Sequence, residues 1–240
     1  MIASPPVFNP FGPDHWAVLG CVSVASWLLI ANASGLRRMR EDRIVRAGLA
    51  AVLLGNEGIG LLVQALTQGT VRLPFQLCDL AIFVVAWALL GHNRFAGELA
   101  FLWGLAGSLQ AMLTPDVAAG FPSWTWLTFF LGHGSAVVSA VYLAVRGRVQ
   151  PRSQSVWRVW LISNGYVVVA GILNWRLGTN FGYLASKPQH PSLLDALGPW
   201  PFYIAGMEVI GLLLFFLCLG VNRMIHRVAA IPIEKGTRDA

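Results

Sequence analysis

A thiol, an imidazole and several carboxyl groups interrupt the apolar runs of this chain. Cys78 and Asp79 lie in Leu73-Pro74-Phe75-Gln76-Leu77-Cys78-Asp79-Leu80-Ala81, and His133 lies in Leu131-Gly132-His133-Gly134-Ser135. A thiol becomes a competent nucleophile when a neighbouring imidazole takes its proton, and a carboxylate can hold that imidazole in the right tautomer. Asp79, Glu57 and Asp116 are the candidates for that third group. On spacing alone, packing is the simpler reading of Cys78, as it is of Cys21 and Cys218, because free cysteine is among the most buried residue types. His133 differs, since its glycine neighbours let other backbone or a ligand approach an imidazole set in mid-run.

Other polar residues recur in apolar surroundings. Glu57 and Glu208 fall near the middle of two runs, where they read equally as protonated hydrogen-bonding groups or as a relay. Asn56, Gln64, Gln110, Asn164 and Asn174 read first as hydrogen bonds between helices. Gln76, Gln110 and Asn174 are also candidate donors to a developing oxyanion. Asn180, Tyr183 and Lys187 sit in a long loop, and Lys187 could grip a lipid phosphate. No second His or Cys lies at ligand spacing, so no metal site is expected. The last apolar run contains no lysine for a retinal Schiff base, and no cofactor is expected.

Positioning these groups requires a membrane fold. Of the 240 residues, 56% are hydrophobic and only 12% charged, too few charges for a soluble surface. The formal charge of +6 does not point to nucleic acid, because the basic residues sit in short loops between apolar runs. The three cysteines lie inside apolar runs, which excludes a disulfide framework.

The expected fold is an all-α polytopic bundle of seven transmembrane helices, at about 16–34, 47–66, 73–91, 95–113, 124–145, 156–177 and 200–221. Each approaches the roughly 20 residues needed to cross a hydrocarbon core of about 30 Å. Pro74 is placed in the first turn of the third span, where its missing N–H would have no partner anyway. Residues 1–15 form an extracytoplasmic segment, 16–221 the transmembrane domain and 222–240 a basic cytoplasmic tail. Trp16, Trp124, Trp126, Trp157, Trp160, Trp175 and Trp200 fall near the proposed ends, as membrane-interface aromatics do.

Lys and Arg set the orientation. Arg72, Arg176 and Lys187 lie on one side and the other fourteen of the 17 basic residues on the other. The positive-inside rule then puts the amino terminus outside and the carboxyl terminus in the cytoplasm. With that topology Cys78 lies about 6 Å and His133 about 13 Å below the outer end of their helices, at 1.5 Å per residue. Gln64, Gln110 and Asn174 fall in the same half, beneath the loop 178–199.

Several motifs resemble the YwaF-like family of bacterial integral membrane proteins. They are Leu73-Pro74-Phe75-Gln76-Leu77-Cys78-Asp79, Phe101-Leu102-Trp103-Gly104-Leu105-Ala106-Gly107 with Leu113-Thr114-Pro115-Asp116, Phe129-Phe130-Leu131-Gly132-His133-Gly134, Asn180-Phe181-Gly182-Tyr183-Leu184, and the Gly198-Pro199-Trp200-Pro201 entry to the last span. That family in turn resembles a eukaryotic group of seven-helix phospholipid acyltransferases with a cysteine and a histidine as proposed catalytic pair. The resemblance implies a multi-pass protein of the bacterial plasma membrane, with Cys78 as acyl-accepting nucleophile, His133 as its base and a membrane phospholipid as partner. The expected function is a lipid acyltransferase or hydrolase. The alternative is a transporter or small-ligand binding protein using Glu57, His133 and Glu208 as a relay.

Overall fold

The computed structural model describes residues 6–70, 72–91, 93–189 and 192–230. Their regular elements are helices, apart from one isolated bridge between Val7 and Ala119. The helices are α1 (Pro13–Ala31), α2 (Ala33–Arg38), α3 (Asp42–Gln68), α4 (Leu77–Leu90), α5 (Arg94–Leu102), α6 (Ser108–Leu113), α7 (Trp124–Val145), α8 (Ser153–Leu177) and α9 (Phe202–Ala230).

Five of these, α1, α3, α7, α8 and α9, are long and apolar enough to cross a membrane. The expected count of seven is not reached by length and composition, and the two shortfalls have local causes. The third expected span is α4, only 14 residues, or about 21 Å of helix. It starts at Leu77 because Asp79 reaches back to accept the Gln76 N–H at 3.0 Å, while Gln76 itself is extended. Pro74 therefore precedes the helix and does not occupy its first turn. The fourth expected span is broken in register: α5 passes through a π-helical turn, Trp103–Gly107, into α6.

Other boundaries also shift. The first span divides at Asn32 into α1 and α2, and the last runs on to Ala230, so the expected tail is helical up to there. Residues 1–5 of the expected amino-terminal segment and 231–240 of the tail lie outside the described residues.

α7 is the axis of the bundle. It packs against α1, α3, α4, α5 and α6, and most of its length is buried. Small residues permit this, including Gly132, Gly134, Ala136, Ser139, Ala140 and Ala144. At Gly132 a Cβ would stand 2.8 Å from Asn56 Nδ2, so the Asn56 side chain of α3 fills the space that the missing side chain leaves on α7. By contrast α1, α8 and α9 leave Trp27, Leu161, Val168, Ile172, Val209, Leu213 and Leu217 exposed. These are the faces that lipid covers in a membrane-spanning bundle.

A smaller apolar cluster fixes the long loop. Phe181 and Leu184 bury with Tyr166 and Ala170 of α8 against Phe75 and Leu77. Phe75 meets Phe181 edge-on with ring centroids 5.5 Å apart, and its carbonyl accepts the Tyr166 hydroxyl at 3.1 Å. The loop is thereby docked over the start of α4.

Candidate functional site

The site follows from how α3, α4 and α7 meet at one end of the bundle. They enclose a cavity of about 690 Å³. α3 lines it with Asn56, Glu57 and Gln64, the segment between α3 and α4 with Arg72 and Gln76, and the start of α4 with Cys78 and Asp79. Asp116 enters from the loop after α6, Thr128, Gly132 and His133 from α7, and Tyr183 from the docked loop.

Cys78 is the second residue of α4, in the turn whose N–H groups have no acceptor within the helix. Its sulfur lies 3.9 Å from Asp79 Oδ1. The Asp79 carboxylate is otherwise committed, because Arg72 grips both of its oxygens at 2.8 and 3.0 Å. A second carboxylate stands behind the first, with Glu57 Oε1 3.8 Å from Arg72 and no hydrogen-bond partner among the described residues. Burial opposes the charge on Arg72, but the hydrogen bonds and charge of Asp79, joined by Glu57, outweigh it and hold its pKa above the ordinary arginine value.

His133 is buried on α7. Its Nδ1 lies 2.8 Å from the Phe129 carbonyl, which can only accept, so Nδ1 carries the proton and Nε2 the lone pair. Nε2 is buried with no hydrogen-bond partner among the described residues. The Phe129 ring stacks on the imidazole at 4.2 Å and fixes its plane. The group orienting His133 is thus a backbone carbonyl, and the oxygens of Asp79 are engaged by Arg72, Gln76 and Cys78. No direct hydrogen bond joins Cys78 to His133, although both line the cavity.

The other expected residues divide. Gln76 lines the cavity, but its amide is spent on the loop, accepting Gly182 N–H at 2.8 Å and donating to Asn180 O at 3.4 Å. Tyr183 also lines it and donates to Asp116 at 3.0 Å. Gln110, Asn174, Asn180, Lys187 and Glu208 do not line it. Gln110 bonds Thr114 one turn on at 3.1 Å. Asn174 holds the Phe181 backbone at 2.7 and 3.0 Å, and Asn180 accepts the N–H groups of Ala185 and Ser186. Lys187 pairs with Asp195 at 3.7 Å, and Glu208 accepts from Asn164 at 2.9 Å between α8 and α9.

Arg72 is the residue that sequence reasoning missed, having counted it only as a loop charge. The available signal was Asp79 itself, since a carboxylate entering an apolar helix needs a cation and Arg72 is the nearest in sequence. Among the described residues no three His, Cys, Asp or Glu side chains group as metal ligands.

A sequence profile described as the TMEM164 family matches residues 10–219, while no curated protein and no solved structure matches. The resemblances to the YwaF-like family and to the phospholipid acyltransferases rest on the quoted motifs alone.

Proposed function

The chain belongs to the TMEM164 family, a family of membrane proteins, and from that premise we propose that it is a multi-pass enzyme moving acyl chains between membrane lipids through Cys78 and His133. One observation carries this reading: the cavity that Cys78 lines also holds a buried imidazole whose basic nitrogen, Nε2, has no partner among the described residues. A buried group without a partner is costly, and such groups persist where a reaction uses them.

The chemistry balances with these residues. His133 Nε2 takes the Cys78 thiol proton, after rotation of the sulfur toward it or through one water. The thiolate attacks the ester carbonyl of a phospholipid, and the tetrahedral intermediate expels the lipid alkoxide, which takes the proton back from His133. The acyl group is now a thioester on Cys78. A hydroxyl of an acceptor lysolipid then loses its proton to His133, attacks the thioester and releases the thiolate, which is reprotonated. Water in place of the acceptor gives hydrolysis. The N–H groups opening α4 supply oxyanion donors beside the nucleophile, a role that the committed amide of Gln76 is poorly placed to fill.

With the orientation expected from the loop charges, this cavity would lie in the outer-leaflet half and the lipid would enter sideways from that leaflet. A transporter relay through Glu57, His133 and Glu208 is less favoured, because Glu208 is bonded to Asn164 away from the cavity.

The test is turnover of a labelled phospholipid with a lysophospholipid acceptor, using purified protein in lipid nanodiscs. Cys78→Ala and His133→Ala should each fall to the background rate. Undiminished turnover in either variant would sink the mechanism.

A further inference from the structure

The proposed nucleophile has an unfavourable neighbour. Ionising Cys78 puts a thiolate 3.9 Å from the Asp79 carboxylate, and like charges at that range oppose each other strongly where water is scarce. Glu57 adds a further carboxyl group from α3. The favourable counterpart from α4 is its own first turn, whose N–H groups favour an anion. That turn alone does not cancel two carboxyl groups.

Arg72 completes the balance. Its guanidinium spans Asp79 with two hydrogen bonds, at 2.8 and 3.0 Å, and stands 3.8 Å from Glu57. It is held there from α3, whose Gln64 side chain accepts the Arg72 backbone N–H at 3.3 Å. The Asp79 side chain is buried whereas that of Arg72 is 44% exposed, so the pair sits at the cavity mouth with the carboxylate inward. The remaining titratable groups around the sulfur are His133 from α7, Tyr166 from α8, and Asp116 and Tyr183 from the loops.

We infer that Arg72 is a positioning residue for the cysteine chemistry: by neutralising Asp79 it lets Cys78 exist as a thiolate in a cavity that would otherwise repel one. Arg72 touches no reacting atom in this scheme and acts through Asp79. The inference rests on the reading of Cys78 as nucleophile, but its consequence is measurable without any lipid substrate.

The experiment is the rate of Cys78 alkylation by N-ethylmaleimide as a function of pH, in full-length protein carrying Cys21→Ser and Cys218→Ser. Arg72→Ala should slow alkylation near neutral pH by roughly tenfold, equivalent to about one unit of thiol pKa, and should move the rising limb of the profile to higher pH. Asp79→Asn alone should speed alkylation. The double variant Arg72→Ala with Asp79→Asn should return to near the parental rate, because the charge that Arg72 offsets is gone. Arg72→Lys should fall between parent and Arg72→Ala, keeping the charge without the two-pronged grip. A merely structural role for Arg72 would not be rescued by removing its partner. An Arg72→Ala rate equal to the parent's, or a double variant as slow as Arg72→Ala, overturns the inference. Should Arg72→Ala fail to fold, an Asp79→Asn rate no higher than the parent's overturns it equally. Phospholipid turnover separates the two claims. Turnover surviving Cys78→Ala with this alkylation pattern intact would remove the acyl-transfer reading and leave the action of Arg72 on the thiol standing.

Discussion

The two ends of the bundle treat buried charge in opposite ways. At the end remote from the cavity, Asp42 opens α3 and accepts from Arg46 at 2.9 Å, Arg146 at 2.7 Å, Tyr142 at 3.0 Å and also Arg148. Arg46 goes on to the Leu89 carbonyl of α4 and Arg146 to the Met39 carbonyl. One carboxylate therefore ties α3, α4, α7 and the loop after α7 together, with donors in excess. Among the described residues, Arg146 Nη1 is left buried without an acceptor. At the cavity end the excess is reversed. Glu57, Asp79 and Asp116 line the cavity together with Arg72, and among the described residues Glu57 Oε1 and His133 Nε2 have no hydrogen-bond partner. Saturated charge holds helices together, and unsaturated polar groups facing a cavity are ready to meet something else.

That contrast predicts the largest difference in stability. Asp42→Asn leaves three arginines around a neutral amide, and breaking a buried ionic network of this kind costs about 3–5 kcal/mol. Glu57→Gln removes a carboxyl whose Oε1 has no hydrogen bond among the described residues and stands 3.8 Å from Arg72, so its effect on stability should be near zero or slightly favourable. Thermal unfolding midpoints in one detergent check both. A Glu57→Gln loss as large as that of Asp42→Asn would erase the distinction between the two ends.

A middle-sized effect is expected where the cavity floor is packed. In Gly132→Val the new Cβ would press on Asn56 Nδ2 at 2.8 Å, with Ile82 Cδ1 in ordinary contact at 3.5 Å. It would also dislodge the Asn56 bond to the Thr128 carbonyl, now 3.0 Å. Overpacking of this kind costs about 1–3 kcal/mol. Gly165→Ala on α8 is the matched control, since its Cβ meets nothing within 4 Å, and it should be neutral or stabilising by up to about 1 kcal/mol. Equal destabilisation by both changes would mean that close helix approach at Gly132 does not shape the cavity.

These residues also show what could be read in advance. The bounds of α7 are legible because Ser123 caps the helix and an unbroken apolar run follows. The start of α4 is not, because Pro74 suggests a first turn while the reach-back from Asp79 to Gln76 sets the real one. The expected topology gives each polar group a depth and so assigns Cys78 and His133 to one half of the bundle, but depth carries no direction around a helix axis. Gln110, Asn174 and Glu208 turn to other neighbours. The arginines from Arg37 to Arg46 were legible as a topology signal. Their packing was not, since Arg46 is buried on Asp42 and Arg37 donates to the Val145 carbonyl at 3.0 Å, partners 108 residues apart for Arg37.

The smallest effect concerns the loop that covers the cavity. Tyr183 holds a left-handed backbone, with φ of 54°, a conformation costing a non-glycine residue on the order of 1–3 kcal/mol. Its surroundings impose it: Tyr203 donates to the Tyr183 carbonyl, Gly182 N–H bonds Gln76, and the Tyr183 hydroxyl donates to Asp116 at 3.0 Å. Burial raises the pKa of Tyr183, and the charge and hydrogen bond of Asp116 raise it further. The neutral phenol is thus the form that the fold favours. A group whose folded pKa lies above its unfolded value of about 10 contributes stability that is fully present below that value and lost as pH rises toward the folded one. Tyr183→Phe should therefore cost about 0.5–1.5 kcal/mol at neutral pH, the worth of one hydrogen bond, and the gap between variant and parent should close in strongly alkaline solution. Unfolding midpoints of the two proteins across that pH range measure it. A gap that stays constant, or widens, would mean that the loop is held at the cavity by Gln76 and the Phe181 cluster without help from Asp116.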